Sequence, residues 1–404
     1  MELKETHCED WTVKPIHAIA TIIGGGTPST ANPAYWNGSI PWFTPTEIQD
    51  TCKYVSKSKR TITEKALENS GAKLLPVGTI LLTTRASIGL RAILKVPAAT
   101  NQGFQSLVVN GDIDNQFIYY LLGLRQPELI KNASGSTFLE ISPKKLGEIS
   151  LCIPCSLAEQ HAIAAVLSDV DALLSSLEAL IAKKRDIKTA AMQELLTGRR
   201  RLPGFTNAWC TLPFEQCALN IREFVSSKNA AGLCIELENI GPNSGNLVGK
   251  LASLNTASSS SLKLKFQAND ILFGRLRAYL RKFYYAEFSG ACSPEIWVLR
   301  AVEKNIIPPY LYQIVQTESF ITAASVAYGT HMPRTDWNVV KNFLVYIPTS
   351  LKEQTAIAAV LSDMDAEIAA LEARRAKVQA LKQGMMQELL TGKTRLAPTG
   401  DQHG

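Results

Sequence analysis

One long segment occurs twice in this chain, and that repeat limits the folds that the chain can adopt. The first copy, EQHAIAAVLSDVDALLSSLEALIAKKRDIKTAAMQELLTG, begins at Glu159, and the second, EQTAIAAVLSDMDAEIAALEARRAKVQALKQGMMQELLTG, begins at Glu353, 194 residues later. Residues 157–198 align with residues 351–392 without a gap, and 26 of the 42 positions are identical. Such self-similarity at a fixed offset indicates an internal duplication.

Both copies have the apolar spacing of a long amphipathic helix. Their apolar residues recur at alternating intervals of four and three, which places them in one seam along the helix. A helix of about 40 residues spans about 60 Å at about 1.5 Å per residue, far more than a globular domain needs. The seam residues are Ile163, Leu167, Val170, Leu174, Leu177 and Ile181 in the first copy, and Ile357, Leu361, Met364, Ile368 and Leu371 in the second.

The sequence also predicts where each helix begins and ends. Each copy follows a proline, opens with a Ser-x-x-Glu capping box and stops at a glycine with basic residues just beyond it. These positions are Pro154, Ser156, Glu159 and Gly198 in the first copy, and Pro348, Ser350, Glu353 and Gly392 in the second.

Two seam positions differ between the copies in opposite directions. Ile181 of the first copy corresponds to Arg375 of the second, whereas Lys184 of the first corresponds to Val378. This exchange predicts that the two helices pack on each other as an unequal, antiparallel pair, rather than each pairing with its own kind. The alternative is that the two helices lie on separate domains.

Composition limits the class of protein. With 46% hydrophobic and 19% charged residues, the 404-residue chain has the make-up of a globular protein of two to three domains. The polar start is unlike a secretory signal, and no apolar run approaches the roughly 18 residues of a membrane span. The eight cysteines have no framework spacing, so we expect a cytoplasmic protein in a reducing compartment. The net charge of +6 is compatible with a polyanionic partner.

The segments outside the helices have similar lengths but different sequences. Both contain strand-like runs, then an aromatic-rich helix, a glycine turn and a strand that ends in Ile-Pro. The strand-like runs are 78–84, 104–109, 270–276 and 295–300, and the aromatic-rich helices are 117–124 and 310–315. The glycine turns, SGST at 134–137 and YGTH at 328–331, are again 194 residues apart. The repeated unit is therefore a variable globular domain followed by a constant helix.

This organisation predicts four parts of the chain. They are a first domain at 1–155, a first spacer helix at 156–204, a second domain at 205–349, and a second spacer helix with a C-terminal tail at 350–404. A constant helix beside a variable domain is what we expect if the helix is a common ruler or docking surface and the domain determines specificity.

Several segments resemble those of one protein family, the specificity subunits of type I DNA restriction–modification systems. GGGTPSTANPAYWNGSIPWFTPTEI at 24–48 is similar to the family's opening motif, and CIELENIG at 234–241 and NDILFGRLRAYLRK at 269–282 are similar to another of its domain subtypes. The LxEQxxIAxVL and MQELLTG segments of both helices resemble its conserved regions. The resemblance covers essentially the whole chain, in the right order.

The repeat and the resemblance together predict an α+β fold. Two globular target recognition domains would be separated by two long helices that form an antiparallel coiled-coil pair, with a pseudo-twofold internal repeat. The resemblance implies that each domain reads one half of a bipartite, asymmetric site in double-stranded DNA. It implies that the helices bind methyltransferase subunits, expected to be two, and that restriction–translocation subunits join them. It implies no catalytic residue, cofactor or metal in this chain, and no membrane partner.

Motifs for catalysis are incomplete in the sequence. The nearest match to the Asn-Pro-Pro-Tyr/Phe motif of an adenine-N6 methyltransferase is NPAY at 32–35, whose third residue differs. The chain has no Pro-Asp dipeptide, which a Mg-dependent nuclease motif would contain, and no Walker motif; CIPC at 152–155 lacks the second cysteine pair of a zinc site. Two alternatives remain, a fused methyltransferase, which these gaps argue against, and a coiled-coil adaptor that does not read DNA.

Contact with DNA is the remaining chemistry, and arginine, hydroxyl and amide side chains on turns are typical of it. If the GRLRAYLR segment stays a strand, alternation places its arginines and tyrosine on one face. The alternative is a solvated surface, and Trp36 and Trp42 are expected in the core. The candidates are Thr27, Ser29, Thr30, Thr83, Thr84, Arg85, Ser87, Ser134, Ser136 and Thr137 in the first domain, and Arg275, Arg277, Tyr279, Arg281, Tyr328, Thr330 and His331 in the second.

Overall fold

The computed structural model describes residues 10–135, 139–225, 232–253, 262–328 and 333–396. The chain divides into two compact units. Unit 1 comprises residues 1–178 and 374–404, and unit 2 comprises residues 179–373. This division cuts each long helix in two, and the predicted boundaries of domains and spacer helices stay predictions.

Short strands build the globular part of unit 1. They are β1 Trp11–Pro15, β2 Ala20–Gly24, β3 Trp36–Phe43, β4 Tyr54–Val55, β5 Arg60–Ile62, β6 Ile80–Leu82, β7 Arg91–Leu94, β8 Ala99–Thr100, β9 Gln105–Val109 and β10 Ser150–Pro154. They form sheets in the orders β2-β9-β6-β7-β4, β5-β3-β8 and β1-β10. β6 and β9 lie in two of the predicted strand-like runs, which confirms both.

The helices of unit 1 close its core. They are α1 Ile16–Ile19, α2 Glu64–Glu68, α3 Asn115–Leu124, α4 Gln126–Lys131, α5 Pro143–Glu148 and the first half of α6 Leu157–Leu195. α3 is the predicted aromatic-rich helix, and Phe117 and Tyr120 on it are fully buried. The same apolar cluster includes Ile163 of α6 and Leu389 near the end of the second long helix, so the globular part and the helices share one core.

Unit 2 repeats this plan with more strands. They are β11 Trp209–Pro213, β12 Ala218–Ile221, β13 Phe224–Val225, β14 Leu233–Ile235, β15 Ala252–Ser253, β16 Lys263–Phe266, β17 Ile271–Gly274, β18 Phe283–Tyr285, β19 Gly290–Cys292, β20 Ile296–Ala301, β21 Ala327–Tyr328, β22 Arg334–Thr335 and β23 Leu344–Pro348. Their sheets have the orders β12-β20-β17-β18, β13-β16-β19-β14-β15, β11-β23 and β21-β22. β17 and β20 confirm the other two strand-like runs.

The helices of unit 2 are placed as in unit 1. They are α7 Pro308–Ile314, α8 Glu318–Ala324, α9 Trp337–Val340 and the first part of α10 Leu351–Leu389. Tyr310 of α7 and Phe320 of α8 are fully buried in a cluster that also contains Leu195 of α6 and Ile357 of α10. The core of unit 2 is therefore also shared between a globular part and the long helices.

Within each unit the halves of α6 and α10 run antiparallel. In unit 1, Asp171 of α6 pairs with Lys382 of α10 at 2.5 Å, and in unit 2, Lys188 of α6 pairs with Asp365 of α10 at 2.6 Å. The two aspartates are 194 residues apart, as are the two lysines, so one ion pair is made twice. The predicted unequal, antiparallel pairing of the two helices is confirmed in both units.

The seam residues lie inside this pairing. Ile163, Leu167, Leu174, Leu177, Ile181, Ile357, Leu361 and Ile368 are buried, and Val170, Met364 and Leu371 are half-buried. Arg375, which replaces Ile181 in the second copy, is exposed. The apolar spacing thus follows the face of each helix that packs. No described helix is both long and apolar enough to cross a membrane.

The predicted capping boxes are wrong in the role they give to glutamate. The Glu353 amide donates to the Ser350 hydroxyl at 3.5 Å, but the Glu353 carboxylate accepts two hydrogen bonds from Arg201, at 2.9 and 2.6 Å. The Glu159 carboxylate accepts two in the same way from Arg395, at 2.6 and 2.8 Å. Both glutamates are buried, and a guanidinium satisfies two carboxylate oxygens together, whereas one cap amide can satisfy only one.

Candidate nucleic-acid interface

The TTRAS segment, which is expected to contact DNA, pairs with residues 139–141 in unit 1. The Ile141 amide donates to the Thr84 carbonyl at 3.1 Å. Two residues further, the Ala86 amide donates to the Leu139 carbonyl at 3.3 Å. Ala86 has a left-handed backbone, with φ of 62°, and the TTRAS segment turns there. We call residues 84–87 with 139–141 the paired turn of unit 1.

Unit 2 contains the same arrangement at the end of β17. The Thr335 amide donates to the Arg275 carbonyl at 2.8 Å, and the Arg277 amide donates to the Pro333 carbonyl at 3.0 Å. Arg277 has a left-handed backbone with φ of 54°. We call residues 275–277 with 333–335 the paired turn of unit 2. Residues 139 and 141 of unit 1 correspond to 333 and 335 at the offset of 194, so the two paired turns are equivalent.

A neighbouring strand joins each paired turn to its glycine turn. In unit 1, Ser134 and Glu140 exchange backbone hydrogen bonds of 2.9 and 3.1 Å. In unit 2, Tyr328 pairs with Arg334 at the equivalent positions. The structure therefore places the start of the SGST turn one strand away from TTRAS, and the start of the YGTH turn one strand away from the first part of GRLRAYLR.

The side chains on this shared backbone differ between the units. In unit 1, the exposed Arg85 donates two hydrogen bonds to Glu140, at 3.0 and 2.8 Å. The counterpart of Arg85 in unit 2 is Leu276, and the counterpart of Glu140 is Arg334, since these two residues form the equivalent bridge. One backbone frame thus presents an arginine–glutamate pair in one unit and a leucine beside an arginine in the other.

The charge at the paired turn of unit 2 is more positive. Arg334 pairs with Glu295 at 2.9 Å, and this charge-assisted hydrogen bond raises the pKa of Arg334. Arg277 is exposed at the left-handed position, where unit 1 has the small Ala86. A guanidinium that projects from a fixed backbone turn can donate hydrogen bonds to guanine bases and to phosphates.

The GGGTPST loop is linked to the paired turn of unit 1. The Gly26 amide donates to the Thr100 carbonyl at 2.8 Å, and the Thr84 amide donates to the Gly103 carbonyl at 2.9 Å, so one segment anchors both. A Cβ at Gly26 would lie 2.2 Å from the backbone of Gly71, which explains a glycine at that position. The Thr27 hydroxyl donates to Gln102 at 2.6 Å.

The loop also presents two exposed hydroxyl residues and rests on the tryptophans. Ser29 and Thr30 are exposed, and the Ser29 carbonyl accepts from the Trp36 indole at 3.1 Å. Trp36 and Trp42 are buried and stack edge to face, as a core position requires. These two hydroxyls remain available for a partner.

Two candidates of unit 1 are unsuited to contact DNA through their side chains. Thr83 and Thr84 are fully buried. The Thr83 hydroxyl donates to the Ser87 and Leu90 carbonyls, and the Thr84 hydroxyl donates to the Gly103 carbonyl at 3.4 Å. Both hydroxyls donate their protons to carbonyls of the local turn, so neither side chain is expected to contact DNA directly. Ser87 and Ser134 are exposed, and Lys145 reaches the Ser134 hydroxyl at 3.5 Å.

The condition that GRLRAYLR stays a strand is not met. β17 ends at Gly274, and a 3-10 turn at Ala278–Leu280 follows between two left-handed arginines, Arg277 and Arg281. The chain reverses there because the next strand, β18, pairs back onto β17. The four side chains therefore do not share one strand face.

The side chains of this segment have different environments. The Arg281 guanidinium donates to Glu318 at 2.5 Å and to the Gln316 carbonyl at 2.6 Å, which holds it against α8. Arg275 is half-buried, and its Nε has no hydrogen-bond partner among the described residues. Tyr279 is 56% exposed, and Arg277 is exposed beside it. Arg277 and Tyr279 are the members of this segment that can reach a partner directly.

Five further candidates lie where little or nothing is described. Ser136, Thr137, Thr330 and His331 lie outside the described residues. For Tyr328 the backbone is described as part of β21, but its side chain is not. Their predicted contacts with DNA stay predictions.

Sequence reasoning missed several residues that the structure brings to these sites. Glu140, Arg334 and Glu295 form the ion pairs of the paired turns. Arg201 and Arg395 hold the starts of the long helices. The offset of 194 residues relates Glu140 to Arg334 and Arg201 to Arg395, so a search for charged residues at repeat-related positions would have found these four but not Glu295. Within the described ranges, no group of three or more His, Cys, Asp or Glu side chains could hold a metal ion.

Comparison with known proteins places this geometry in one family. The family model described as "Type I restriction modification DNA specificity domain" matches residues 8–186 and 244–380, well over half of the chain. The chain belongs to this family. The two matched stretches contain both long helices in large part and the paired turn of each unit.

Curated relatives and a solved structure agree with that assignment. The chain is 42% identical over 182 residues to the type I restriction enzyme MjaIX specificity subunit of Methanocaldococcus jannaschii, covering 43% of this chain and 42% of that protein. It is 33% identical over 171 residues to the EcoR124I/EcoR124II specificity subunit of Escherichia coli, covering 41% and 42%. The chain thus spans about two fifths of the length of these relatives.

The likeness to a solved structure is wider but lower in identity. The type I restriction–modification S subunit from M. genitalium superposes with a TM-score of 0.58 at 16% identity, over 96% of this chain and 98% of that one. This likeness shows the fold, and the predicted α+β class with two long helices is confirmed.

Proposed function

We propose that this chain is the DNA specificity subunit of a type I restriction–modification complex. Each globular part reads one half of a bipartite, asymmetric site in double-stranded DNA, and partner subunits methylate and cleave. The observation that supports this most directly is the repeated paired turn, in which an equivalent backbone presents different side chains. Two readers of two different half-sites need that combination of a common frame and distinct base-contacting groups.

The division of work between the paired turns follows from their side chains. The exposed Arg277 offers guanidinium donors suited to guanine edges or phosphates, whereas Arg334 is paired with Glu295. In unit 1, Arg85 is partly neutralised by Glu140, and the exposed hydroxyls of Ser29, Thr30 and Ser87 supply weaker, more adaptable hydrogen bonds. We infer that the second domain binds its half-site with the stronger electrostatic contribution, which salt would weaken more steeply.

The constant helices suit a spacing and docking role. Within each unit the helix halves pack against each other and share a core with the globular part, so a partner bound to the helix halves of one unit is held beside the reader of that unit. We infer that two methyltransferase subunits bind to the helix pair, one related to each copy of the repeat, and that restriction–translocation subunits join this complex. The chain itself supplies recognition and no catalytic group.

Reconstitution tests this function. The purified chain with S-adenosylmethionine should transfer no methyl group, and the chain together with its methyltransferase subunit should methylate adenine at a discrete split motif, mapped by sequencing. Methyl transfer by the isolated chain would contradict the division of labour. A helical adaptor that does not read DNA would give no discrete footprint at moderate salt, which separates that alternative.

A further inference from the structure

A lysine side chain is held at the junction of the globular part and α6 in unit 1. The Lys53 ammonium donates to Gln116 at 2.8 Å and to Ser168 at 2.7 Å. It also donates to the Tyr120 hydroxyl at 3.2 Å, and it lies 4.5 Å from the centroid of the Tyr120 ring. Burial lowers the pKa of Lys53 to about 8, and the charge of Asp171 opposes that shift. Oxygen atoms, an aromatic face and a carboxylate thus form a seat for an ammonium.

The helix side of this seat is repeated in unit 2. Ser168 and Asp171 of α6 correspond to Ser362 and Asp365 of α10 at the offset of 194 residues. Asp365 forms an ion pair with a lysine of the facing helix, as Asp171 does in unit 1. The polar surface that the long helix contributes is therefore the same in both units.

The aromatic side of the seat is repeated only in part, because Tyr120 corresponds to Gln313 in unit 2. The N-cap amide of α3 donates to Gln160 at 2.9 Å, and the N-cap amide of α7 donates to Gln354 at 3.0 Å. These glutamines are 194 residues apart, so the two short helices are anchored alike on the long ones. This anchoring makes Tyr312 the counterpart of Tyr119, whose ring centroid lies 5.8 Å from the Lys53 ammonium.

The position of the lysine is occupied differently in unit 2. In each globular part a 3-10 turn with a capping box is followed by a buried isoleucine, Ile48 or Ile240. Five residues further along stands Lys53 in unit 1 and Gly245 in unit 2. Gly245 has φ of 65°, and a Cβ there would lie 2.1 Å from the Tyr312 hydroxyl. Unit 2 therefore has a glycine at the position of the lysine, and a side chain there would displace Tyr312.

A cavity of about 880 Å³ lies in unit 2 where Lys53 would be. Its lining includes Gly245, Tyr312, Ser362, Asp365 and Lys188. These residues are the counterparts of Lys53 itself and of the groups around it in unit 1. The volume is in the range of small-molecule sites.

We propose that this cavity of unit 2 binds a primary alkylammonium group in the place that Lys53 has in unit 1. The group comes from a diffusible polyamine or from a lysine side chain of an assembling subunit. The lysine source rests on the function proposed above, whereas the polyamine source does not.

The charges around the cavity fit an added ammonium. Asp365 accepts from Lys188 through Oδ1, but its buried Oδ2 has no hydrogen-bond partner within the part of the chain that the structure describes. In unit 1 the corresponding oxygen of Asp171 accepts from the Tyr120 hydroxyl at 2.6 Å. A buried acceptor without a donor is costly, and an ammonium supplies three donors.

The other basic residues of the lining already have acidic partners. Two such pairs are made across the cavity wall, Arg185 with Glu372 and Arg281 with Glu318. Added to the pair of Lys188 and Asp365, they leave the described wall without net charge. Unit 1 shows that the seat accepts a second ammonium beside this ion pair, because Lys53 lies there next to Lys382. Among the described residues of the lining, an anion would find no free cation.

Titration calorimetry of the full-length chain with 1,5-diaminopentane and spermidine tests the polyamine source. We expect one amine per chain, and no binding of the neutral probe 1,5-pentanediol at the same concentration. Asp365→Asn should weaken amine binding by about tenfold or more, because a charged hydrogen bond is lost. Asp363→Asn, an exposed aspartate two residues away on the same helix, is the matched control and should change nothing.

A second variant tests the equivalence of the two seats. Lys53→Ala empties the seat in unit 1, and we expect the number of bound amines to rise from one to two. If Asp365→Asn does not fold, as circular dichroism would show, Ser362→Val takes its place with the same expected loss.

A partner lysine is tested in the assembled complex by acetylation footprinting. If the isolated chain binds no amine, one lysine of the methyltransferase subunit should be protected by the wild-type chain and become labelled with Asp365→Asn. Amine binding that Asp365→Asn abolishes supports the diffusible source. The proposal is overturned if amines do not bind and no lysine is protected, or if binding is unchanged by Asp365→Asn; neither result bears on whether the complex methylates a split site.

Discussion

The two long helices are expected to set the number of unread base pairs between the half-sites, and lengthening both tests this directly. One heptad inserted into each helix keeps the apolar seam in phase. The insertion points must face each other. Asp171 faces Lys382, and the two helices are antiparallel. Leu177, six residues after Asp171, therefore faces Ala376, six residues before Lys382. An insertion after Leu177 thus lies at the level of an insertion after Arg375. The repeat offset alone would have selected Leu371, which lies at a different level of the antiparallel pair.

The size of the effect follows from helix and DNA geometry. Seven helical residues add about 10 Å at about 1.5 Å per residue. At about 3.4 Å per base-pair step this is at most about three base pairs, and less if the helix pair is inclined to the DNA axis. The half-sites should keep their sequences, while the spacer grows by about one to three pairs.

Methylome sequencing of a strain that expresses the double insertion measures both quantities together. The control is the heptad in α6 alone, which moves Lys184 and Lys188 away from Glu367 and Asp365 and should abolish binding of the site. An active enzyme with an unaltered spacer would show that the helices hold partners but do not measure DNA.

Three further results are expected. If Arg277 contacts a base, Arg277→Ala should reduce discrimination at one half-site by about 1–3 kcal/mol. If Arg277 contacts a phosphate, the same change should lower the affinity for all sequences and flatten the salt dependence of binding. Gel-shift titrations over a salt series distinguish the two, and Arg374→Ala on an exposed helix face is the control. Exchange of residues 205–349 for the equivalent domain of a relative should change one half of the methylated motif, and a change in both halves would refute modular reading. Burial lowers the pKa of Lys53 from 10.5 to about 8, so Lys53 keeps its proton to higher pH in the unfolded chain than in the folded chain. The free energy of unfolding of the wild type relative to Lys53→Met, measured in urea, should therefore rise between about pH 8 and pH 10. A difference that stays constant with pH would contradict this burial.

Periodicity and repetition predicted the helices because they are properties of sequence alone. The seam residues from Ile163 to Ile181 recur at alternating intervals of four and three, which places them on one helix face. In the structure this face is the buried one. The strands β6, β9, β17 and β20 were predictable from apolar runs bounded by turns. The pairing of α6 with α10 was predictable from Ile181 and Arg375, because an exchange of apolar and charged residues marks unequal partners.

The paired turns were not predictable from spacing. Their second strands are 194 residues apart, but their first strands, at Thr84 and Arg275, are 191 residues apart, since the globular parts have diverged in length. The left-handed backbones of Ala86 and Arg277 also have no sequence signal, because glycine or asparagine would be expected there. Tertiary hydrogen bonds to Leu139 and Pro333 hold these conformations, and such bonds are visible only in the fold.

The buried carboxylates Glu159 and Glu353 show how a local signal can point to the wrong partner. A Ser-x-x-Glu pattern before an apolar run predicts a capping box from neighbouring residues alone. The arginines that bind these carboxylates, Arg395 and Arg201, are distant in sequence. Arg395 follows α10 and binds the start of α6, whereas Arg201 follows α6 and binds the start of α10. Only the antiparallel pairing of α6 with α10 brings the end of one helix to the start of the other.

The duplicated helices pose a pairing problem that their differences solve. The repeated ion pair of Asp171 with Lys382 and of Lys188 with Asp365 would form equally well if a helix met a second copy of itself. The pair of Lys184 with Glu367, at 2.6 Å, would not, because the repeat counterpart of Glu367 in α6 is Leu173.

This additional pair is too exposed to decide the pairing by itself. Lys184 and Glu367 keep 32% and 49% of their side-chain surface in water, so the pair contributes about 0–1 kcal/mol. The apolar seam contributes more to the preference. Two copies of α10 would replace the buried Ile181 by Arg375 and lose the apolar contact there. Divergence at the seam therefore favours α6 with α10 over two copies of α10, and a duplicated chain can hold two different readers in one molecule.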